Sequence, residues 1–243
     1  SLLLFKILIW GLFNTDMKIL SWNCNQNFSK KYEHIESINA DILIIQECER
    51  LKEDHFPEAK FFWTGKNESK GLGILVRNQR AFLDPIHNTN LINFLPINVD
   101  GLRVLGVWAY NHRAVKFGKN LSGNTIDAIN FYEDWLTEKS QPCIFGGDFN
   151  NAPQWDKKDN LNNFQNINSR LNHLGFESAY HTSTKEFFGS ETSHTFFHTK
   201  NESKKYHIDY LYLRSLKLKS MKIGTYEDWI KLSDHTPLIL EAK

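Results

Sequence analysis

The sequence predicts an α+β fold in which two β-sheets pack together and helices lie outside them. Three observations lead there. Short apolar runs of strand length recur along the chain, about three amphipathic helical stretches fall between them, and no linker or internal repeat interrupts the series. A chain of 243 residues with 41% hydrophobic and 23% charged side chains suits one globular unit of this kind. With 13 glycines and 6 prolines it is neither a disordered nor a fibrous chain. A formal net charge of +1 names no polyanionic partner, as a strongly basic domain would, and leaves room for a local basic rim.

Residues 1–13, SLLLFKILIWGLF, are apolar with one Lys. The run falls short of the roughly 20 residues that a membrane-spanning helix needs. Asn14, Thr15 and Asp16 follow it, where a secretory signal would place a small-residue cleavage site. The expectation is an N-terminal extension of unassigned role over residues 1–16 and a single domain over residues 17–243. That domain is expected to be monomeric, with no stable membrane association after residue 16. Cys24, Cys48 and Cys143 show neither disulfide nor zinc-site spacing, and each lies in or beside a strand-like run. Packed, reduced thiols fit the cytoplasm; secretion is the alternative if residues 1–16 are a signal remnant.

Residues 17–23 and 41–46 read as strands, with a helical face of Tyr32, Ile35 and Ile38 between them. Residues 61–64, 71–76 and 102–109 read as three more strands. Residues 124–139 place Ile126, Ile129, Tyr132 and Leu136 at helical spacing. Residues 143–145 form a short strand that Gly146 and Gly147 are expected to stop. Residues 161–174 read as a helix ended by Gly175. Strands at residues 207–213, 216–223 and 236–240 complete the set.

Five polar islands sit at or just beyond the ends of apolar runs: Trp22 to Asn25, Gln46-Glu47, Gly147 to Asn150, Ile208 to Tyr210, and Ser233 to His235. Core packing explains such residues poorly, because buried charges are rare unless paired or bound to a metal. Asn23 and Asn25 are two apart, so an extended chain would point both to one side. Hydrolysis of a phosphate ester needs oxygen ligands for a cation such as Mg²⁺, a base for water, and donors for the phosphoryl oxygens. Glu47 and Asp234 offer the first, Asp148 the second, and Asn23, Asn150 and His235 the third. Asp209 is suited to orient His235 and keep it protonated.

WNCNQ, DILIIQE, GGDFN, HIDYLYL and SDHTPL occur here in the order seen in the endonuclease/exonuclease/phosphatase superfamily, and the resemblance runs from Met17 to about Leu240. That family includes pancreatic-type DNases, abasic-site endonucleases, neutral sphingomyelinases and inositol polyphosphate phosphatases. The resemblance implies a DNase-like four-layer α/β/β/α sandwich, with two mainly antiparallel sheets, outer helices and a cleft along one sheet edge. It implies that Asn23, Glu47 and Asp234 stand on the metal side and that Asp148 activates water. Asn150 then resembles the residue that stabilises the pentacovalent phosphorus, and Asp209 and His235 the family's Asp–His pair. The family's phosphate contact after the middle strand falls to His112 or Tyr110, with His112 preferred. Asn25 stands where several members carry Asp, which makes it a neutral substrate-side or ligand residue.

The resemblance implies Mg²⁺ or Mn²⁺ as cofactor and a nucleic acid or other phosphate ester as partner. The expected function is phosphodiester hydrolysis by an endo- or exonuclease. The alternatives are a phospholipid or small phosphate ester as substrate, or a binding module that has lost catalysis. Arg113, Lys116 and Lys119 offer a basic rim, Trp155 a stacking surface, and His181 a cleft lining. His207 reads as structural. A serine hydrolase is excluded, since the chain has no G-x-S-x-G elbow.

Overall fold

The strands read as continuous apolar runs because both faces of each sheet are covered. The computed structural model describes residues 16–52, 55–78, 80–110, 121–138 and 141–243. In chain order these form β1 (Met17–Asn23), α1 (Phe28–Glu36), β2 (Ile42–Cys48), β3 (Lys60–Asn67), β4 (Lys70–Val76), β5 (Phe82–Leu83), β6 (Phe94–Val99) and β7 (Leu102–Trp108). There follow α2 (Thr125–Thr137), β8 (Cys143–Asp148), α3 (Phe164–His173), β9 (Glu177–Ser178), α4 (Ala179–Thr184), β10 (Phe196–Phe197), β11 (Lys205–Tyr206), β12 (Asp209–Arg214), β13 (Leu218–Ile223), α5 (Tyr226–Trp229) and β14 (Leu238–Ala242). One six-stranded sheet runs β13-β14-β1-β2-β4-β3 and the other β5-β6-β7-β8-β12-β9, with β10 and β11 a separate hairpin.

Side chains alternate between two cores along each strand, as strand geometry requires. Ile42 and Ile44 enter the space between the sheets with Ile74, Val104, Ile144 and Leu211. Leu43 and Ile45 turn outward with Leu20 and Trp22 onto Phe28 and Ile35 of α1. Phe145, Tyr210 and Tyr212 turn outward from the second sheet onto Ile129 and Leu136 of α2 and Ile167 and Leu171 of α3. Two sheets and their outer helices thus give the four layers. Each fully buried side chain of this size contributes ~1.5–3 kcal/mol, so the three cores carry most of the stabilisation. Glu49 accepts from the Phe28 and Ser29 amides at 2.8 and 2.9 Å and so caps α1, whose own Asn27 makes no side-chain cap. Asn163 caps α3 by accepting from Asn166 N at 2.8 Å, and Gly175 follows that helix at φ +83.

Several expectations change. The helices number five among the described residues, since the short α4 and α5 carry little periodicity. β6 was hidden by Pro96, which the sheet tolerates because its missing N–H faces the side where two-residue β5 has already ended. The last three sheet strands, β12, β13 and β14, start later than expected, at Asp209, Leu218 and Leu238. Gly146 and Gly147 do not stop β8, which continues through them to Asp148. They are small because neighbours press in: a Cβ on Gly146 would lie 2.4 Å from Leu211 Cδ2. One on Gly147, at φ +144, would lie 2.0 Å from the Val107 carbonyl oxygen. Residues 1–15 lie outside the described residues, so the expected extension is represented only by Asp16, which pairs with Lys219. No helix among the described residues is long and apolar enough to cross a membrane.

Gly147 has both a backbone angle that side chains avoid and no room for a Cβ. Gly147→Ala is therefore expected to cost about 3 kcal/mol, which urea denaturation would measure as a lowered midpoint at unchanged slope.

Candidate active site

Each sheet contains one parallel pair near its middle, β1 with β2 and β7 with β8; the other pairs are antiparallel. The C-terminal ends of β1, β2 and β8 therefore share an edge with the N-terminal ends of their antiparallel neighbours β14 and β12. Asp209 lies directly opposite Asp148 in the β8–β12 register. Asn23 closes the gap between sheets by donating from Nδ2 to Asp148 Oδ2 at 2.9 Å and to Glu47 Oε1 at 3.3 Å. All five polar islands meet there.

Glu47 is placed by a bulge. The β2–β4 register slips between Gln46 and Cys48, and Glu47 takes the extra position at φ +61. A bulge re-aims its side chain, which explains how a strand residue comes to face the cleft. Its Oε2 lies 2.7 Å from Lys70 Nζ. Asn25 differs from expectation: β1 ends at Asn23, and Asn25 is left-handed at φ +50 rather than extended. Its amide N–H donates to Asn23 Oδ1 at 3.1 Å, an Asx-type turn, and its Nδ2 donates to Asp234 Oδ1 at 3.0 Å. Lys31 Nζ donates to the Cys24 carbonyl at 2.6 Å and to that of Asn25 at 3.2 Å, tying this loop to α1.

Asp148 is buried and accepts from the Asn150 amide at 2.8 Å and from Asn150 Nδ2 at 3.1 Å. Asn150 Nδ2 also donates to the Ala109 carbonyl at 3.0 Å, and the residue sits at φ +47. His235 Nδ1 lies 2.9 Å from Asp209 Oδ2, both groups buried. Burial raises the Asp148 carboxyl to about 7, with Asp209 adding to the rise and His235 and Asn23 opposing it. For His235, burial works to lower the imidazolium, but Asp209, Asp148 and Asp234 outweigh it and raise it to about 10. At neutral pH His235 is thus an imidazolium wedged among carboxylates.

The sequence readings missed the residues that hold this arrangement. Thr195 Oγ1 accepts from the Ile208 and Asp209 amides, both at 3.1 Å, and so fixes where β12 begins. Ser233 Oγ donates to the Asn23 carbonyl at 2.7 Å and accepts from the His235 amide at 3.0 Å. Trp22 Nε1 donates to the His235 carbonyl at 3.0 Å. Ser233 and Trp22 stand inside the quoted motifs; Thr195 stands in a stretch to which the sequence reading assigns no chemistry, and Lys70 carries no signal beyond residue type. Tyr110 lies on the cleft wall beside Trp108, ring centroids 5.2 Å apart. His112, Arg113, Lys116 and Lys119 lie outside the described residues. His181 turns inward, bonded to Ser178 at 2.8 Å and to Glu191 at 3.1 Å. His207 is buried with Nδ1 on the Ser193 carbonyl at 3.0 Å.

Glu47 and Asp234 bring carboxylate oxygens, the preference of a hard divalent ion, while Asn23 turns its Nδ2 donor toward Glu47 and its Oδ1 onto the Asn25 amide. Asp148, Asp209 and His235 bring three ligand-type atoms within 4.8 Å of one another, and Asp209 Oδ1 is buried without a hydrogen-bond partner.

The family model described as Endonuclease/Exonuclease/phosphatase matches residues 20–235. Among solved structures, the chain is similar to a 3′ phosphatase from Neisseria bound to a product DNA hairpin, with 20% identity, 93% of this chain and 99% of that one covered, and a TM-score of 0.69. It is similar to a 3′-5′ exonuclease from Neisseria meningitidis, with 20% identity, 93% and 99% covered, and a TM-score of 0.67. It is also similar to an AP endonuclease from Archaeoglobus fulgidus, with 15% identity, 92% and 98% covered, and a TM-score of 0.66. No curated protein matches the chain in sequence.

The raised Asp148 has a cost in stability with a definite sign. Between the free value of 3.8 and about 7 the folded chain holds the proton that the unfolded chain has lost, so stability from this group falls as pH rises through that window. Asp148→Asn is expected to melt above the wild type at pH ~8 and close to it at pH ~4, by thermal denaturation at both values.

Proposed function

Since this chain belongs to the endonuclease/exonuclease/phosphatase family, we propose that it hydrolyses phosphodiester bonds in nucleic acid with Asp148 as the base for water and Mg²⁺ or Mn²⁺ as cofactor. One observation carries the reading: Asn23 joins Glu47 and Asp148 from two different sheets in one hydrogen-bonded cluster. That cluster has the groups such hydrolysis requires.

Glu47, Asp234 and Asn23 would hold the cation, which supplies charge to the phosphoryl oxygens as they gain negative charge. Asp148, buried and as carboxylate, draws a proton from water. Its acceptor strength falls once protonated, and the Asn23 and Asn150 amide donors that now bond to it pass to phosphoryl oxygens. Asp209 keeps the His235 imidazolium oriented, and its Nε2 side donates to the phosphate. Asn25 holds Asp234 in place. The further phosphate contact after β7 is assigned to His112, with Tyr110 as the alternative.

A nucleic-acid substrate is favoured by a row of aromatic rings leading from His235. Phe196 lies 4.7 Å from the His235 ring, Tyr206 stacks at 6.3 Å on Phe196, and Trp155 lies 4.9 Å from Tyr206. All three are partly exposed. Such rings take bases or sugars by stacking, worth ~1–3 kcal/mol per base. The DNA-hairpin complex of the Neisseria phosphatase supports the same substrate class, with a 3′ end as the place of attack.

Asp148→Ala, which removes one of the two facing carboxylates, is expected to lower turnover ~100-fold or more while the fold persists, and His235→Ala to lower turnover as far but with a lowered melting temperature. Chelation should abolish turnover and Mg²⁺ or Mn²⁺ restore it, tested on plasmid DNA, single-stranded DNA, RNA, sphingomyelin and bis-p-nitrophenyl phosphate. Turnover that survives chelation would defeat the cofactor assignment. The rate should climb as Asp148 loses its proton through pH about 7 and decline as His235 loses its own near about 10.

A further inference from the structure

The loop that leaves β1 runs through three consecutive left-handed residues, Asn25, Gln26 and Asn27, at φ +50, +66 and +53. None is glycine, and Gln26 and Asn27 are exposed, so burial of their side chains does not impose the turn. Lys31, in α1, reaches back to this loop. Its Nζ donates to the Cys24 carbonyl at 2.6 Å and to the Asn25 carbonyl at 3.2 Å. Those carbonyls belong to the two planar peptide units on either side of the Asn25 Cα. The two planes define φ and ψ of Asn25. One ammonium that holds both therefore fixes the direction in which the Asn25 side chain leaves. That side chain ends on Asp234, with Nδ2 donating to Oδ1 at 3.0 Å. Anchoring the helix does not account for these bonds, since α1 is already held by burial of Phe28 and Ile35 and by Glu49 on its first amides.

We propose that Lys31 is a positioning residue for the cation: by fixing Asn25 it holds the Asp234 carboxylate in the orientation that binds the metal. It touches neither metal nor substrate. The inference rests on the cofactor assignment above and adds a residue outside the quoted motifs that sets cation affinity. Electrostatics and geometry act here with opposite signs. The Lys31 ammonium lies within electrostatic range of Asp234. As a like charge beside the site it would repel a divalent ion, so its removal would tighten binding. As an orienting contact its removal would weaken binding, as loss of a group behind a metal ligand does by ~10–100-fold. Lys31 is only half-buried, so salt screens much of the repulsion and the orienting effect prevails.

The test measures Mn²⁺ binding directly, without turnover, from the electron paramagnetic resonance signal of the free ion. It compares wild-type, K31M, K31R, K30M, N25G and K31M/N25G proteins. Lys30 is exposed, and K30M removes the same charge one residue away. K31M is expected to raise the Mn²⁺ Kd about tenfold, and K31R to recover much of that loss. K30M should leave Kd within about twofold of wild type. N25G removes the amide while glycine keeps the left-handed backbone accessible, and it should also raise Kd about tenfold. K31M added to N25G should weaken binding little further, because both act through Asn25. Unchanged or tighter binding in K31M would overturn the proposal, and so would losses that multiply in the double variant. A K31M protein that melts lower yet binds Mn²⁺ as the wild type does would reduce Lys31 to an anchor of α1 and overturn it too. A wild-type protein that binds no Mn²⁺ defeats the cofactor assignment itself, and this inference with it.

Discussion

Asp148 and Asp209 face each other where β8 ends and β12 begins, both buried, and the imidazole of His235 stands against Asp209. Two carboxylates in one dry space repel, and removing one charge from water costs several kcal/mol. The imidazolium is what makes the pair tenable. The rest of the edge keeps it there: Trp22 and Ser233 hold the His235 backbone, and Thr195 holds that of Asp209. Loss of the His charge would leave two like charges in contact, so the surroundings of β12 and β14 are organised around one proton.

The backbone near this edge departs from ordinary angles. Asn25, Gln26, Asn27, Glu47 and Asn150 all have positive φ, and none is glycine. Such residues cost of order 1 kcal/mol or more each, and they persist where the surrounding structure over-determines them. Here the determinants are visible: the bulge in β2, the Lys31 bonds to the Cys24 and Asn25 carbonyls, and the Asn150 bonds to Asp148. Asn is the residue most often found there, because its short amide can bond to the nearby backbone. The Asn-rich composition of the motifs thus has a conformational cause as well as a chemical one.

Much of this was legible in the sequence. Apolar runs of strand length gave the sheets, and polar residues at their ends gave the edge where the site lies. What was not legible depends on contacts between distant segments. Gly146 and Gly147 read as a stop because glycine usually punctuates, yet they lie within β8 where Leu211 and Val107 leave no room for a Cβ. Pro96 concealed β6, since the side of a strand left unpaired is set by the tertiary fold. Glu47 was identified by type, but its direction comes from a register slip with β4. Lys70 and Thr195 act through space on residues 23 and 14 positions away, Glu47 and Asp209, and no local pattern marks them.

Glu49 has a consequence beyond holding α1. The start of a helix presents unpaired amides and a partial positive charge, and is a ready seat for phosphate. The first turn of α1 follows directly on the loop of Asn25, beside the cleft, and Glu49 already fills it with its own carboxylate. An incoming polyanion meets a masked decoy there, so its phosphates are left to the groups that can act on them.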